Sequence, residues 1–232
     1  MLAQDGLGTG TIAPVSRVEP KHKGVGFAAI VKGLKANAKA AAAVPEAQRG
    51  YLSGAILPSG WYPERDYNVL LITLADSVDR NAVGDVWAYF GRTAARRDVA
   101  GDQEAIPAAS RTETAGVYRN FRAAQPDDVS GLCLRLAKIW SMYHDTGRVV
   151  FTRHARKPSV LVAKLHDFSF PVRGMADLQT AFSMEFAQLS GLELKGSLER
   201  FEAGAPSCEW HYQVAATPEA LSSLASLSPD AA

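Results

Sequence analysis

The sequence has little of what marks several common classes of protein. Its 232 residues include only two cysteines, Cys133 and Cys208, which are too few for a disulfide framework and fit a reducing cytoplasm. The 25 basic and 24 acidic side chains leave a net charge of +1, whereas nucleic-acid and membrane-surface binders carry a basic excess. No apolar run approaches the roughly 18 residues of a membrane span, and Asp5 lies where a secretory signal would be basic. We therefore expect a cytoplasmic protein that binds no nucleic acid and has no membrane span.

The sequence also lacks the motifs of common catalytic and metal sites. There is no Gly-x-Ser-x-Gly nucleophile motif and no phosphate-binding Gly-x-x-x-x-Gly-Lys-Ser/Thr. No His-x-x-x-His or Cys-x-x-Cys pair presets a metal site. The five histidines are scattered along the chain: His22, His144, His154, His166 and His211. We expect His144 to favour the dipole at a helix end and His211 to be exposed, and we predict no enzyme activity, no metal and no cofactor.

Apolar periodicity predicts helices over the first two thirds of the chain and once again later. The strongest stripe begins at Val129 and ends at Tyr143, with Asp127 or Asp128 as its N-cap and Gly147 as its C-terminal stop. The other stripes run from Phe27 to Ala43, from Tyr67 to Val78, from Val83 to Phe90 and from Met175 to Leu189. Cys133 lies on the strongest stripe, which favours a packed core residue over a reactive thiol.

The last third carries the strands. Val149–Thr152 and Val160–Leu165 form one predicted hairpin, and Leu192–Leu198 with Cys208–Val214 form a second. In the last of these, Cys208, Trp210, Tyr212 and Val214 alternate with polar residues, as in a half-buried strand. We predict an α+β fold in which a four-stranded antiparallel sheet, made of two C-terminal hairpins, packs against a helical layer.

The domain organisation follows from where this patterning begins and ends. Residues 1–22 are rich in glycine, proline and small polar residues and predict a mobile N-terminal arm. Residues 24–215 form a single predicted α+β domain without internal repeats. Residues 217–232 predict a flexible C-terminal tail that holds at most a short frayed helix.

The aromatic side chains on the apolar stripes are the one feature of the sequence that suggests a binding site. If they converge, they can line a small-molecule pocket, although large aromatic residues fill cores more often. The candidates are Trp87, Phe90, Trp140, Tyr143, Phe182, Phe186 and Trp210. Three clustered arginines, Arg92, Arg96 and Arg97, are candidates for anion binding, with a solvated helix face as the alternative.

The C-terminal hairpin carries a resemblance to a known superfamily. The segment Gly204-Ala205-Pro206-Ser207-Cys208-Glu209-Trp210 follows a helix and a strand, and so resembles the end of the four-vinyl-reductase-type domain. The same superfamily includes haem-nitric-oxide-binding (H-NOX) domains and TRAPP subunits of the Bet3 type. Trp61-Tyr62-Pro63 and Arg119-Asn120-Phe121-Arg122 resemble segments of a myxobacterial paralogous family of unknown function. The resemblance covers residues 24–215 and implies a domain that dimerises through its helices and encloses a small hydrophobic ligand.

Few residues of this sequence match those with which members of the superfamily bind their cofactors. Its zinc-binding members use several cysteines, of which only Cys208 matches. Its haem-binding members need a helical histidine followed by Tyr-x-Ser-x-Arg. Tyr118 and Arg122 keep that spacing, but Asn120 replaces the serine and no histidine lies between His22 and His144.

Three classes of function remain open. The leading one is a non-enzymatic cytoplasmic domain that senses a small apolar ligand in an aromatic pocket or binds a partner, as a homodimer or with an unknown protein, through a helical face. The alternative is a structural or assembly protein with a solid core and no ligand. An enzyme of unknown class ranks third, because no acid, base or nucleophile stands out.

Overall fold

The computed structural model describes residues 19–100 and 127–230, with the backbone alone at residues 99 and 100. The stretch from Tyr118 to Arg122, with its resemblance to the haem-binding motif, lies outside these ranges. Within the described ranges the structure is a mixed helix and sheet fold with a four-stranded antiparallel sheet, as predicted. None of the described helices has the length and apolar character needed to cross a bilayer.

The first half is helical apart from two short strands, β1 (Lys21–Lys23) and β2 (Trp61–Pro63), which pair antiparallel. The predicted stripe from Phe27 to Ala43 is divided at Asn37, whose side chain caps the second piece by accepting from the amide of Ala40. The helices are α1 (Gly24–Ala36), α2 (Ala38–Ala43), α3 (Gly50–Ser53), α4 (Glu64–Ser77), α5 (Arg80–Val83) and α6 (Val86–Ala100), with a 3-10 turn at Glu46–Gln48.

The second half alternates helices and hairpins. Helix α7 (Val129–Tyr143) begins at Asp128, whose carboxylate accepts from the amide of Gly131 as predicted for the N-cap. It is followed by β3 (Arg148–Arg153), β4 (Val160–His166), α8 (Arg173–Leu189), β5 (Leu194–Arg200), β6 (Ser207–Val214) and α9 (Pro218–Ala225). The sheet order is β3-β4-β6-β5, so the two predicted hairpins meet through β4 and β6. The four apolar residues of β6 are buried, as their alternation predicted.

Two apolar clusters make up the core. The larger joins α7, α8 and the inner face of the sheet, and both cysteines are buried in it. The smaller lies between α1, α2 and α4, around Phe27, Leu34 and Leu70. Ile30, Tyr67 and Phe90 pack against both clusters, so the boundary between the two passes along α1, α4 and α6.

Both ends of the described chain are more ordered than their sequence predicted. Lys21 and His22, assigned to a mobile arm, lie in β1, and His22 is only 3% exposed. The segment assigned to a flexible tail forms α9, in which Ala220 and Leu224 are fully buried. Beyond α9, the carbonyl of Ser228 and the amide of Asp230 bond to Arg153 at the edge of β3. A three-residue strand and an eight-residue helix carry too little periodicity to be recognised, and their order comes from tertiary packing.

Candidate functional site

A cavity of about 310 Å³ lies where the two apolar clusters meet. Its volume is at the lower end of the range for small-molecule sites, roughly 300 to 1,000 Å³. Helices α1, α4, α6, α7 and α8 supply its walls. The apolar part is lined by Ile30, Leu71, Leu74, Phe90, Ile139 and Phe182.

The cavity divides the predicted pocket aromatics into two groups. Phe90, Trp140, Tyr143 and Phe182 line it. Of the other three candidates, Phe186 and Trp210 are core residues that are 1% exposed, and the partly buried Trp87 packs against Gly174. The indole Nε1 of Trp210 donates to the carbonyl of Ala176, 3.2 Å away, which anchors α8 on the sheet. The apolar periodicity of the sequence does not distinguish aromatic residues that line the cavity from those that fill the core, because both kinds face the interior of the protein.

The three candidate arginines do not converge on one anion site. Arg96 pairs with Glu185 of α8, at 2.7 Å between Nε and Oε1. Arg92 borders a second, more polar groove of about 990 Å³ beside β5. Arg97 alone lines the aromatic cavity. Residues 92 and 96 share one face of α6, whereas residue 97 lies about 100° further round the helix.

A buried polar group closes one side of the cavity. Arg97 Nη2 lies 3.2 Å from Asp98 Oδ1, and the hydroxyl of Tyr143 donates to the same carboxylate at 2.9–3.0 Å. Burial raises the pKa of the Asp98 carboxyl, although Arg97 and Tyr143 both oppose the shift. Asp98 in turn raises the pKa of Arg97, against the effect of burial, so this guanidinium stays charged. The cavity thus contains a cation whose charge is already compensated.

A second polar group brings together three side chains that are distant in sequence. Glu64, the first residue of α4, is 5% exposed. Its Oε2 lies 3.3 Å from Nδ1 of His22 in β1 and 3.2 Å from Nδ1 of His144 at the end of α7. We call these three residues the His22–Glu64–His144 cluster. All three line the cavity.

The protonation states in this cluster follow from burial and proximity. Burial lowers the pKa of His22 to about 4, so this imidazole is neutral near pH 7. Burial alone would raise the pKa of Glu64, but the two histidines outweigh it and lower that pKa to about 2. The cluster therefore places an ionised carboxylate beside the neutral imidazole of His22.

Aromatic stacking fixes both imidazole rings. His22 lies flat on Tyr67, with 3.5 Å between ring centroids. His144 stacks on Trp140 at 4.0 Å and meets Phe168 edge-on. Gly26 permits this arrangement, because a Cβ at that position of α1 would collide with Nε2 of His22. The rings are held in place before anything binds.

The sequence patterns do not reveal this cluster. His144 was expected to interact with the dipole at the end of its helix, and it does lie there, but its Nδ1 is bonded to Glu64. His211, expected to be exposed, is half-buried beside Glu209 on the sheet. The available signals were two: a glutamate directly after Pro63 at a helix start, and a histidine at a helix end. Neither of these two signals indicates that β1 places His22 beside Glu64 and His144.

Comparison with known proteins supports the fold. No protein-family model and no curated protein sequence matches the chain. Among solved structures it is similar to an H-NOX protein mutant from K. algicida with unliganded Fe(II), at 10% identity and TM-score 0.52, covering 84% of this chain and 98% of that one. An H-NOX structure from a study of haem distortion matches at 10% identity and TM-score 0.54, over 83% and 93% of the two chains. A T. Tengcongensis H-NOX mutant matches at 12% identity and TM-score 0.51, over 83% and 97%. The chain therefore has an H-NOX-like fold.

Proposed function

We propose that this protein is a ligand-binding domain that holds a small, mainly apolar molecule with one polar end in the cavity, without transforming it. The observation that carries the proposal is the cavity itself: an apolar chamber of about 310 Å³ with the Arg97, Asp98 and Tyr143 group and the His22–Glu64–His144 cluster on its polar side. Such a lining, apolar with a few placed polar groups, is typical of small-molecule sites. The H-NOX neighbours make a sensing role a reasonable extension of binding.

The lining constrains the chemistry of the ligand. Its apolar body would contact Ile30, Leu74 and Phe182, and burying it would contribute roughly 25 cal/mol per Å² of apolar area removed from water. Its polar end would need to satisfy hydrogen-bonding groups on the other side of the cavity. Glu64 and Asp98 disfavour a strongly anionic head group, because Arg97 is the one fixed positive charge among the described residues that line the cavity. A neutral or weakly acidic amphiphile fits best.

Haem, the group studied in one of the neighbours, does not fit these residues. Haem iron needs an axial ligand such as histidine, and the chain's only histidines at the cavity are His22 and His144. The Nδ1 atoms of both lie within 3.3 Å of the Glu64 carboxylate. The remaining nitrogen of His22 faces the backbone of α1 at Gly26, and Tyr67 covers the ring. No step of the proposed function therefore involves haem.

Native mass spectrometry tests the proposal. The full chain, purified from its own host, should carry a non-covalent mass excess of one small organic molecule that disappears on denaturation. The same spectra report whether the chain forms a homodimer, the alternative role in which a helical face associates and the cavity stays empty. Clean apo masses at every stoichiometry would contradict the ligand-binding proposal.

A pair of variants ties any bound molecule to the cavity. Ala94→Phe places a phenyl ring in the cavity, whereas Ala42→Phe adds the same ring to an exposed position of α2. We expect the first to remove the mass excess and the second to retain it. Retention in Ala94→Phe, with circular dichroism unchanged, would place the molecule elsewhere.

A further inference from the structure

We propose that His22, Glu64 and His144 form a binding site for one divalent transition-metal ion of the Zn²⁺ class, with a fourth coordination position open to the cavity. The inference goes beyond small-molecule binding and does not depend on it, because all three ligands come from the protein itself. It also revises the expectation, drawn from sequence spacing, that no metal site is present.

The donor set is the first argument. Two imidazole nitrogens and one carboxylate oxygen form the three-ligand set found where zinc keeps an open position. The same set also suits other divalent first-row metals. A metal needs neutral histidine and ionised carboxylate. The cluster's position among buried aromatic rings keeps bulk water from competing for these ligands.

The distances are the second argument. Metal–ligand bonds of 2.0–2.2 Å at tetrahedral angles place ligand atoms about 3.3–3.6 Å from one another. Glu64 Oε2 lies 3.3 Å and 3.2 Å from the two imidazole Nδ1 atoms, and the ligand atoms of all three residues lie within 4.8 Å of each other. Two of the three separations between ligand atoms are therefore already close to the spacing that a bound ion requires.

Unsatisfied polar atoms are the third argument. Neither ring nitrogen of His22 and neither lone pair of Glu64 Oε1 has a hydrogen-bond partner among the residues described. His22 Nδ1 is near Glu64 but out of hydrogen-bond alignment. Burying such groups without a partner costs free energy of order 1–3 kcal/mol each. A metal ion would engage a ring nitrogen of His22 and the carboxylate together, which the contact between His144 and Glu64 alone does not do.

Spectroscopic titration of the full-length apoprotein tests the site. After dialysis against a chelator, one equivalent of Co²⁺ should produce the visible d–d bands of a tetrahedral or five-coordinate site, and one equivalent of Zn²⁺ should bleach them. Glu64→Gln and His144→Ala should each weaken Zn²⁺ affinity by at least about 100-fold, more than the loss of an outer-shell group costs. Circular dichroism and thermal melting confirm that the variants are folded.

His211→Ala is the matched control, because His211 also contacts a carboxylate, Glu209, but on the sheet and away from the cavity. It should bind Zn²⁺ like the unmodified chain. No Co²⁺ bands, or affinities equal in all four proteins, would overturn the proposal and leave the cluster as a histidine–carboxylate ion pair. Ala94→Phe separates the two proposals: loss of the organic ligand with intact Co²⁺ bands would show that the metal site stands when the cavity is filled.

Discussion

Single residues explain why the interior of this protein is unusually polar near its cavity. Glu64 and Asp98 are both buried carboxylates: His22 and His144 of two other elements contact Glu64, whereas Arg97 of its own helix and Tyr143 of α7 contact Asp98. Such compensation is required, because an isolated buried charge would shift its pKa and become neutral. The two carboxylates differ in how fully they are satisfied: Asp98 has a cation and a hydroxyl donor, whereas Oε1 of Glu64 has no hydrogen-bond partner in the part of the chain that the structure describes.

Removing the hydroxyl of Tyr143 should destabilise the protein. Tyr143→Phe keeps the ring in the core but takes away a donor to the Asp98 carboxylate. We expect a loss of about 1–3 kcal/mol in the free energy of unfolding, measured by urea denaturation. Tyr89→Phe, at a position 40% exposed, should change it by less than about 0.5 kcal/mol. Equal small effects would mean that water replaces the lost donor.

At the scale of elements, α6 and α8 form the closest helix pair around the cavity. Gly91 of α6 lies against the backbone of α8, where an added Cβ would meet the carbonyl of Leu178 and approach the amide nitrogen of Phe182 to 2.8 Å. Backbone atoms cannot rotate away as a flexible side chain can. Leu178 and Phe182 also line the cavity, so the separation of these two helices sets its width.

Gly91→Ala should therefore push the two helices apart. We expect a loss of about 1–3 kcal/mol of stability from overpacking, together with weaker retention of the cavity's ligand. Gly50→Ala is the matched control, since a Cβ there would meet nothing within 4 Å. Differential scanning calorimetry compares the two variants, and a neutral Gly91→Ala would show that α8 moves without cost.

The elements also show what sequence patterning can predict. The periodic stripes of α4, α7 and α8 and the alternation of β6 gave their positions directly, because each buries one face against a neighbour. Helix α9 was missed because only Ala220 and Leu224 of its eight residues are buried. The His22–Glu64–His144 cluster was missed for a different reason: Glu64 and His144 are 80 residues apart, and only the packing of β1 against α4 and α7 brings all three together.

At the scale of the whole molecule, the order of β1 and the geometry of the site depend on each other. The strand β1 pairs with β2, and its backbone also meets Asp145 just after α7, where the Lys21 amide donates to the carboxylate. These contacts place His22 at the polar side of the cavity. If residues 1–22 are predicted to be a mobile arm, neither β1 nor the position of His22 in the cluster can be predicted.

Ile30, Tyr67 and Phe90 pack against both apolar clusters and also line the cavity, and this has a consequence for how the molecule opens. The cluster of α1, α2 and α4 is the smaller of the two and has fewer buried apolar residues to stabilise it. We therefore expect its amides to exchange with solvent deuterium through a local opening that leaves α7, α8 and the sheet intact. An occupant would contact both clusters at once, and the opening would then have to release it. Hydrogen exchange followed by mass spectrometry should show α1 and α4 protected by the ligand at many positions that do not touch it. Binding in the cavity would then be detectable at amides far from it, because it changes which parts of the chain unfold together.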